Sequence, residues 1–470
     1  MKKLIILLSL GILFNACDDT LDINTDPNNP ATSTTRFTLP AGQVGMASRL
    51  GFDYNLLGSV LAQHWTQGPT ASQYSFLETY TINNNSYTGA WSTMYATSLE
   101  DLEFVRKQAL EDDAPNIAAV AMLMQAYGFQ VLVDLYDQIP YFEALKGKDG
   151  LLQPKFNTAE EVYNDLIIKI DEALGMIDLN QSAIRPGTED LIYGGDMTQW
   201  IKFANTLKLK IYIRQSGVRP TVAQAGIQQM YANGDEFIGV GEDAMINFSS
   251  TTQNENPLWQ NLNQTTFQNL VASETSEDVL SENGDSRIDA FYDQAPNSSI
   301  FRGLTQGVGV TSGEQYGDFS PLDPTNIVSP TAPVLFFSAH ESLFLQAEAA
   351  QRNFSSESAA ALYDAAVSAS FSYYGLDASS YLTAGGVYEF DGTLDQIITQ
   401  KWIALNGTQG FEAWSDWRRT GIPSLSPSVT TTLPGGQFPL RLMFPSNESA
   451  SNPNVPALQP LTAPVWWDVD

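Results

Sequence analysis

The sequence predicts a mostly α-helical protein in which paired helices form a scaffold around irregular segments. Three observations carry that prediction. Apolar side chains recur at three- and four-residue spacing wherever a pattern can be read. No run of alternating residues is long enough to argue a large sheet. The 43% hydrophobic and 11% aromatic fractions are ample for a packed core. A length of 470 residues alone would suggest several domains, whereas the pattern favours one body over residues 36–470.

The first element is a leader. Lys2 and Lys3 precede an apolar run from Leu4 to Phe14, followed by Asn15, Ala16 and the only cysteine, Cys17. Eleven residues at ~1.5 Å rise cover roughly half of a ~30 Å hydrocarbon core, so an export signal over 1–16 is expected rather than a spanning helix. A small residue before a sole cysteine resembles a bacterial lipobox, with Phe14 where Leu is usual. Cys17 is then an acylated membrane anchor; the alternative is an ordinary signal peptide with an incidental cysteine. Residues 17–35, with Asp18, Asp19 and Asp22 at the front, read as an acidic tether repelled by anionic headgroups.

Helices follow in order. Asp113-Ala114-Pro115 starts a stripe of Ile117, Val120, Met124, Tyr127, Val131 and Leu135. Thr158 and Glu161 have capping-box spacing, with Val162, Leu166, Ile170, Leu174 and Ile177 behind them. Asp196 and Gln199 open a helix carrying Trp200, Phe203, Leu207 and Ile211. Phe336, Leu343, Ala347 and Ala350 predict one face of a helix, and Ala361, Tyr363, Ala366 and Phe371 its partner before a stop at Gly375. Leu394 to Leu405 and Gly410 to Arg418 complete the set. Small residues at the crossings, flanked by aromatics, point to helix pairs of tetratricopeptide type, although the strict consensus is not met. Between about 219 and 332 Gly, Ser, Asn and Asp dominate, with a short helix expected from Asn269 to Leu280. Ser298 to Pro330 is a long Gly/Pro/Asp-rich loop of the kind that carries function.

Composition excludes several activities. A formal charge of −30, from 53 acidic and 23 basic side chains, disfavours nucleic acid, which is bound through Lys and Arg. One cysteine rules out an internal disulfide framework and a Cys-rich zinc site, and two histidines cannot supply a multi-imidazole centre. Gly303 to Gly313 lacks the Lys-Ser/Thr of a phosphate loop, and Asn283, Asp285 and Asp289 do not fit a calcium loop. No cofactor or metal is expected.

Several segments together resemble the SusD/RagB family of Bacteroidetes outer-membrane nutrient-binding lipoproteins, in its SusD-like branch. They are Leu21 to Asn28 after the lipobox, Asp134 to Leu145 with Asp137 where the family usually has Gly, and Trp200 to Lys210. Leu345 to Ala349, Gln400 to Leu405 leading to Trp417-Arg418-Arg419-Thr420-Gly421, and Arg441 to Glu448 follow in register. The resemblance implies four tetratricopeptide-like helix pairs and a large irregular ligand-facing layer. It also implies a partner, a TonB-dependent SusC-type porin capped by a surface lipoprotein on the outer membrane.

A sugar ring needs a flat apolar face beside hydrogen-bonding groups. The stretch containing Trp65, Gln67, Gln73, Tyr74, Phe76 and Tyr80 has that composition, and the resemblance raises Trp65 and Tyr74 because the first loops of the family contribute to the ligand surface. The other reading of Trp65 is that it closes the core beneath the first helix. A second cluster is Trp259 and Phe267 with Tyr316 and Phe319 of the long loop. Trp91, Trp200, Trp402, Trp414 and Trp417 lie in helical stripes and read as core. His340 reads as a core residue, and His64 has no Ser-and-acid partner set. The expected function is therefore a non-catalytic receptor passing an oligosaccharide to the porin. An oligopeptide receptor is the alternative, and a surface glycoside hydrolase using two carboxylates is the third reading.

Overall fold

The computed structural model describes residues 33–180, 182–263, 268–309 and 313–469. Cys17, the tether up to residue 32 and Phe267 lie outside the described residues. Helices dominate, and consecutive ones pack against each other: Glu100–Glu111 on Pro115–Tyr136, Pro115–Tyr136 on Ala159–Met176, Met197–Arg214 on Pro220–Asn233, and Ala339–Gln351 on Ala359–Tyr373. Gly410–Thr420 closes the scaffold by crossing Asn55–Leu61, where Gly58 and Gly410 meet backbone to backbone with no room for a Cβ. Local chemistry explains the starts. Thr158 and Glu161 form a reciprocal capping box, Asp196 accepts from Thr198 and Gln199, and Ser338 accepts from Glu341. Pro115 and Pro220 sit in first turns, where a missing N–H costs nothing.

The Pro115–Tyr136 helix is buried on nearly every side because it is the central one. It is long and apolar enough to cross a bilayer, yet 94% of its most apolar stretch is buried in the protein. Trp91, Trp200, Trp402 and Trp414 are buried as expected, while Trp417 is half-buried against the ring of Phe438.

The sequence reading needs three corrections. Phe336 is not helical: Val334–Phe337 is a strand paired with Ala244–Ile246, and the helix begins only at Ala339. The helix expected from Asn269 is a strand, Leu270–Ala272, paired antiparallel with Trp65–Gln67, before a helix over Glu274–Glu282. A regular helix, Pro220–Asn233, opens the segment read as loop-rich. Sheet structure among the described residues is confined to two-stranded ribbons.

Charged residues occupy the centre of the helical layer. Lys210 meets Glu412 at 2.9 Å, Lys401 meets Asp416 at 2.6 Å, and Arg419 binds Glu348 with two nitrogens at 2.6 and 2.8 Å. Arg214 joins Glu412 and lies 3.4 Å from both Asp134 and Asp416. All of these side chains are at most 6% exposed. Asp134 also accepts from Gln130, Tyr163 and Trp467. A buried ion pair gains little net stability over an apolar pair, but removing one member strands the other. The network thus joins five helices through buried charges that depend on one another.

Candidate functional site

The long segment before Val334 is not loose. Bridges Val271–Pro321 and Tyr292–Leu322 lay it across the edge of the Trp65/Leu270 ribbon, and Asp293 N–H donates to the Pro321 carbonyl at 2.9 Å. Asp323 accepts from the backbone N–H groups of Thr325 and Asn326 at 3.0 and 2.5 Å, fixing the turn after Pro324. On the opposite side Asn256 accepts from Leu258 and Trp259 N–H and donates to the Ala332 carbonyl at 2.9 Å. That arrangement holds the Pro257–Asn263 helix, with Trp259, against the end of the segment.

Between them lies a cavity of about 300 Å³. Trp259 and Tyr316 line it with Leu270, Leu322, Val328 and Asp293. Both aromatic residues are half-buried. The Tyr316 ring packs on Gly68, where a Cβ would come within 3.1 Å of it, and its hydroxyl donates to the Leu270 carbonyl at 3.3 Å. Burial raises the pKa of the Tyr316 hydroxyl and, with help from Asp323, that of Asp293. The phenol therefore stays neutral at physiological pH. Indole, phenol and proline faces around a single carboxylate suit a ligand with flat apolar faces and hydroxyl groups.

The sequence-predicted residues divide here. Trp259 and Tyr316 share the cavity. Trp65 does not: it is 0% exposed, because its strand is covered on both faces once paired with Leu270–Ala272. Tyr74 is 5% exposed, its backbone N–H bound to Gln67 Oε1 at 2.7 Å. Phe319 is 1% exposed, packed with Val271 and Leu304 and covered by the Arg302 guanidinium 4.4 Å from its ring. These three rings close the core under the ribbon and offer no flat face to a ligand. Sequence reading missed Asp293 and the apolar wall of Leu262, Leu322 and Val328. The recurrence of Pro321, Pro324 and Pro330 within the long segment was the available signal.

Neither histidine offers a base to solvent. His64 is 0% exposed with Nε2 2.9 Å from the Trp402 carbonyl, His340 is 1% exposed, and burial lowers both pKa values to about 3.

The sequence model of the SusD-like proteins, described as starch-binding and associating with the outer membrane, matches residues 27–445. Among solved structures, a chitin-binding protein shares 27% identity at a TM-score of 0.78, covering 93% of this chain and 100% of its own. A SusD homologue from Bacteroides uniformis shares 23% identity at 0.79, covering 92% and 100%. A chitin-binding SusD homologue from Flavobacterium johnsoniae shares 21% identity at 0.79, covering 92% and 99%. The last two show the common fold alone. No curated protein matches the chain.

Proposed function

The chain belongs to the SusD-like family, whose members are outer-membrane-associated binding proteins rather than enzymes, and from that premise we propose a cell-surface receptor that captures a glycan in the Trp259–Tyr316 cavity and delivers it to a TonB-dependent SusC-type porin. Cys17 is the proposed lipid anchor, and the residues between it and the helix that begins at Thr35 are the tether that holds the body off the membrane. The single observation that carries the reading is the cavity: two half-buried aromatic side chains from separate segments, each residue held by a hydrogen bond, Trp259 N–H to Asn256 Oδ1 and the Tyr316 hydroxyl to the Leu270 carbonyl. The chitin-binding name of the 27% identical relative and the starch-binding description of the family support a polysaccharide ligand. The formal charge of −30 favours a neutral or cationic ligand over an anionic one.

Titration calorimetry of the chain lacking residues 1–17 with maltoheptaose and chitohexaose tests the assignment. Trp259→Ala is expected to weaken the bound oligosaccharide at least ~10-fold with the fold intact. Unchanged affinity in both Trp259→Ala and Tyr316→Ala would remove the cavity from the account. Binding of oligopeptides but of neither sugar would assign the same site to peptide uptake. Co-purification with a large outer-membrane β-barrel tests the porin partnership.

A further inference from the structure

A second cavity, of about 240 Å³, lies in the helical layer and shares no lining residue with the first. Its walls come from the Glu100–Glu111, Pro115–Tyr136 and Ala159–Met176 helices and from the loop carrying Phe142. Gln125 is 1% exposed there. Its amide nitrogen donates to Glu103 at 3.1 Å, while its Oε1 has no hydrogen-bond partner among the described residues. Arg106 binds Glu103 through Nε and Nη2 at 2.8 and 2.7 Å, and Nη1 is not part of that fork. Asp165 accepts the Tyr141 hydroxyl on Oδ2 at 2.7 Å.

Lys169 is the unusual member. Its Nζ lies 5.9 and 5.8 Å from the ring centres of Phe129 and Tyr141, half-buried, and it makes no ion pair among the described residues. Burial lowers its pKa, the cost of desolvating an ammonium that no carboxylate meets closely. Phe142 completes the lining with a ring that is 45% exposed and set edge-on to Tyr141 at 5.0 Å.

The cavity thus brings together a buried acceptor, an unpaired ammonium, a further guanidinium donor and an exposed aromatic ring. Leaving such polar groups unpaired is costly, so a ligand that completes them gains what the empty site lacks. Charge narrows its class. Three lining carboxylates, Glu103, Asp165 and Glu172, outnumber Arg106 and Lys169, which disfavours an anion, and the Lys169 ammonium disfavours a cation. The volume is below the ~300–1,000 Å³ of pockets for drug-sized ligands, which fits a single ring. Hydroxyl groups both donate and accept, so a neutral polyhydroxyl ring answers every group at once. We propose that this cavity is a second sugar pocket, holding one ring of a neutral glycan independently of the Trp259–Tyr316 cavity. Lys169 and Arg106 donate to its hydroxyls, Gln125 Oε1 and Asp165 accept from them, and Phe142 covers its apolar face.

Saturation-transfer NMR and calorimetry with glucose, N-acetylglucosamine and glucuronic acid separate the two sites, using the folded chain lacking residues 1–17. In a Trp259→Ala background, one of the two neutral sugars is expected to remain bound. Adding Phe142→Ala or Lys169→Met should weaken that residual binding about fivefold or more. Phe142→Ala is the safeguard for folding, because the ring is partly in solvent already and thermal stability should hardly move. The proposal falls if no neutral sugar binds the Trp259→Ala protein, or if residual binding ignores both added substitutions. Tighter binding of glucuronic acid through Lys169 would also overturn the neutral-ring assignment.

Discussion

Two buried histidines make this protein sensitive to acid. His64 and His340 are neutral in the folded state, with pKa values held at about 3 by burial. In the unfolded chain they take up protons near pH 6.5. Stability present above that pH is therefore lost as pH falls through the window from 6.5 towards 3, at roughly 2 kcal/mol per histidine by pH 5. Glu78 and Glu341 act in the opposite sense. Burial raises both to about 7, so their contribution declines as pH rises from the usual carboxylate range towards 7. The decisive measurement is thus a comparison of variants. His340→Gln should flatten the fall in urea midpoint between pH 7 and pH 5, and an unchanged slope would refute the assignment. Trp65 and Trp259 sit in similar aromatic and amide-rich surroundings along the chain, yet one is sealed by a strand about 200 residues away and the other lines a cavity. Local composition records that a ring is present. It does not record which distant segment will cover it.

At the level of elements, the legible parts were those whose signal is local. The capping box of Thr158 and Glu161 could be read directly, and so could the stripes behind it, because both the cap and the 3.6-residue period lie within one helix. Thr158→Ala is expected to cost ~1 kcal/mol in chemical denaturation, and Glu161→Ala should then add little, since the two bonds are reciprocal. Full additivity in a double-mutant cycle would show that the box does not act as a unit. The Val334–Phe337 strand was misread for a physical reason. Its four residues are all buried, so no alternation marks it, and a short apolar run reads equally well as the first turn of the helix that follows. The Leu270–Ala272 strand has the same character. Both strands exist because a partner elsewhere satisfies their backbone groups.

For the whole molecule, the buried charge network ties the helix pairs into one body. Trp467 shows how far the tie reaches: its indole N–H donates to Asp134 at 2.8 Å, and its ring lies 5.3 Å from the guanidinium of Arg214 and 4.7 Å from that of Arg418. Trp467→Ala should lower stability by ~3–5 kcal/mol, through the lost ring and the exposed edge of the network. A shift of the thermal midpoint by less than a degree would show that the tail is dispensable. Asp134 lies on the central helix, so the partner it needs is made 333 residues later. Closing so long a loop costs chain entropy before the contact rewards it, so the docking of this indole is expected to be a late, long-range event of folding. Until residue 467 docks, Asp134 and the Arg214 guanidinium lack that cover.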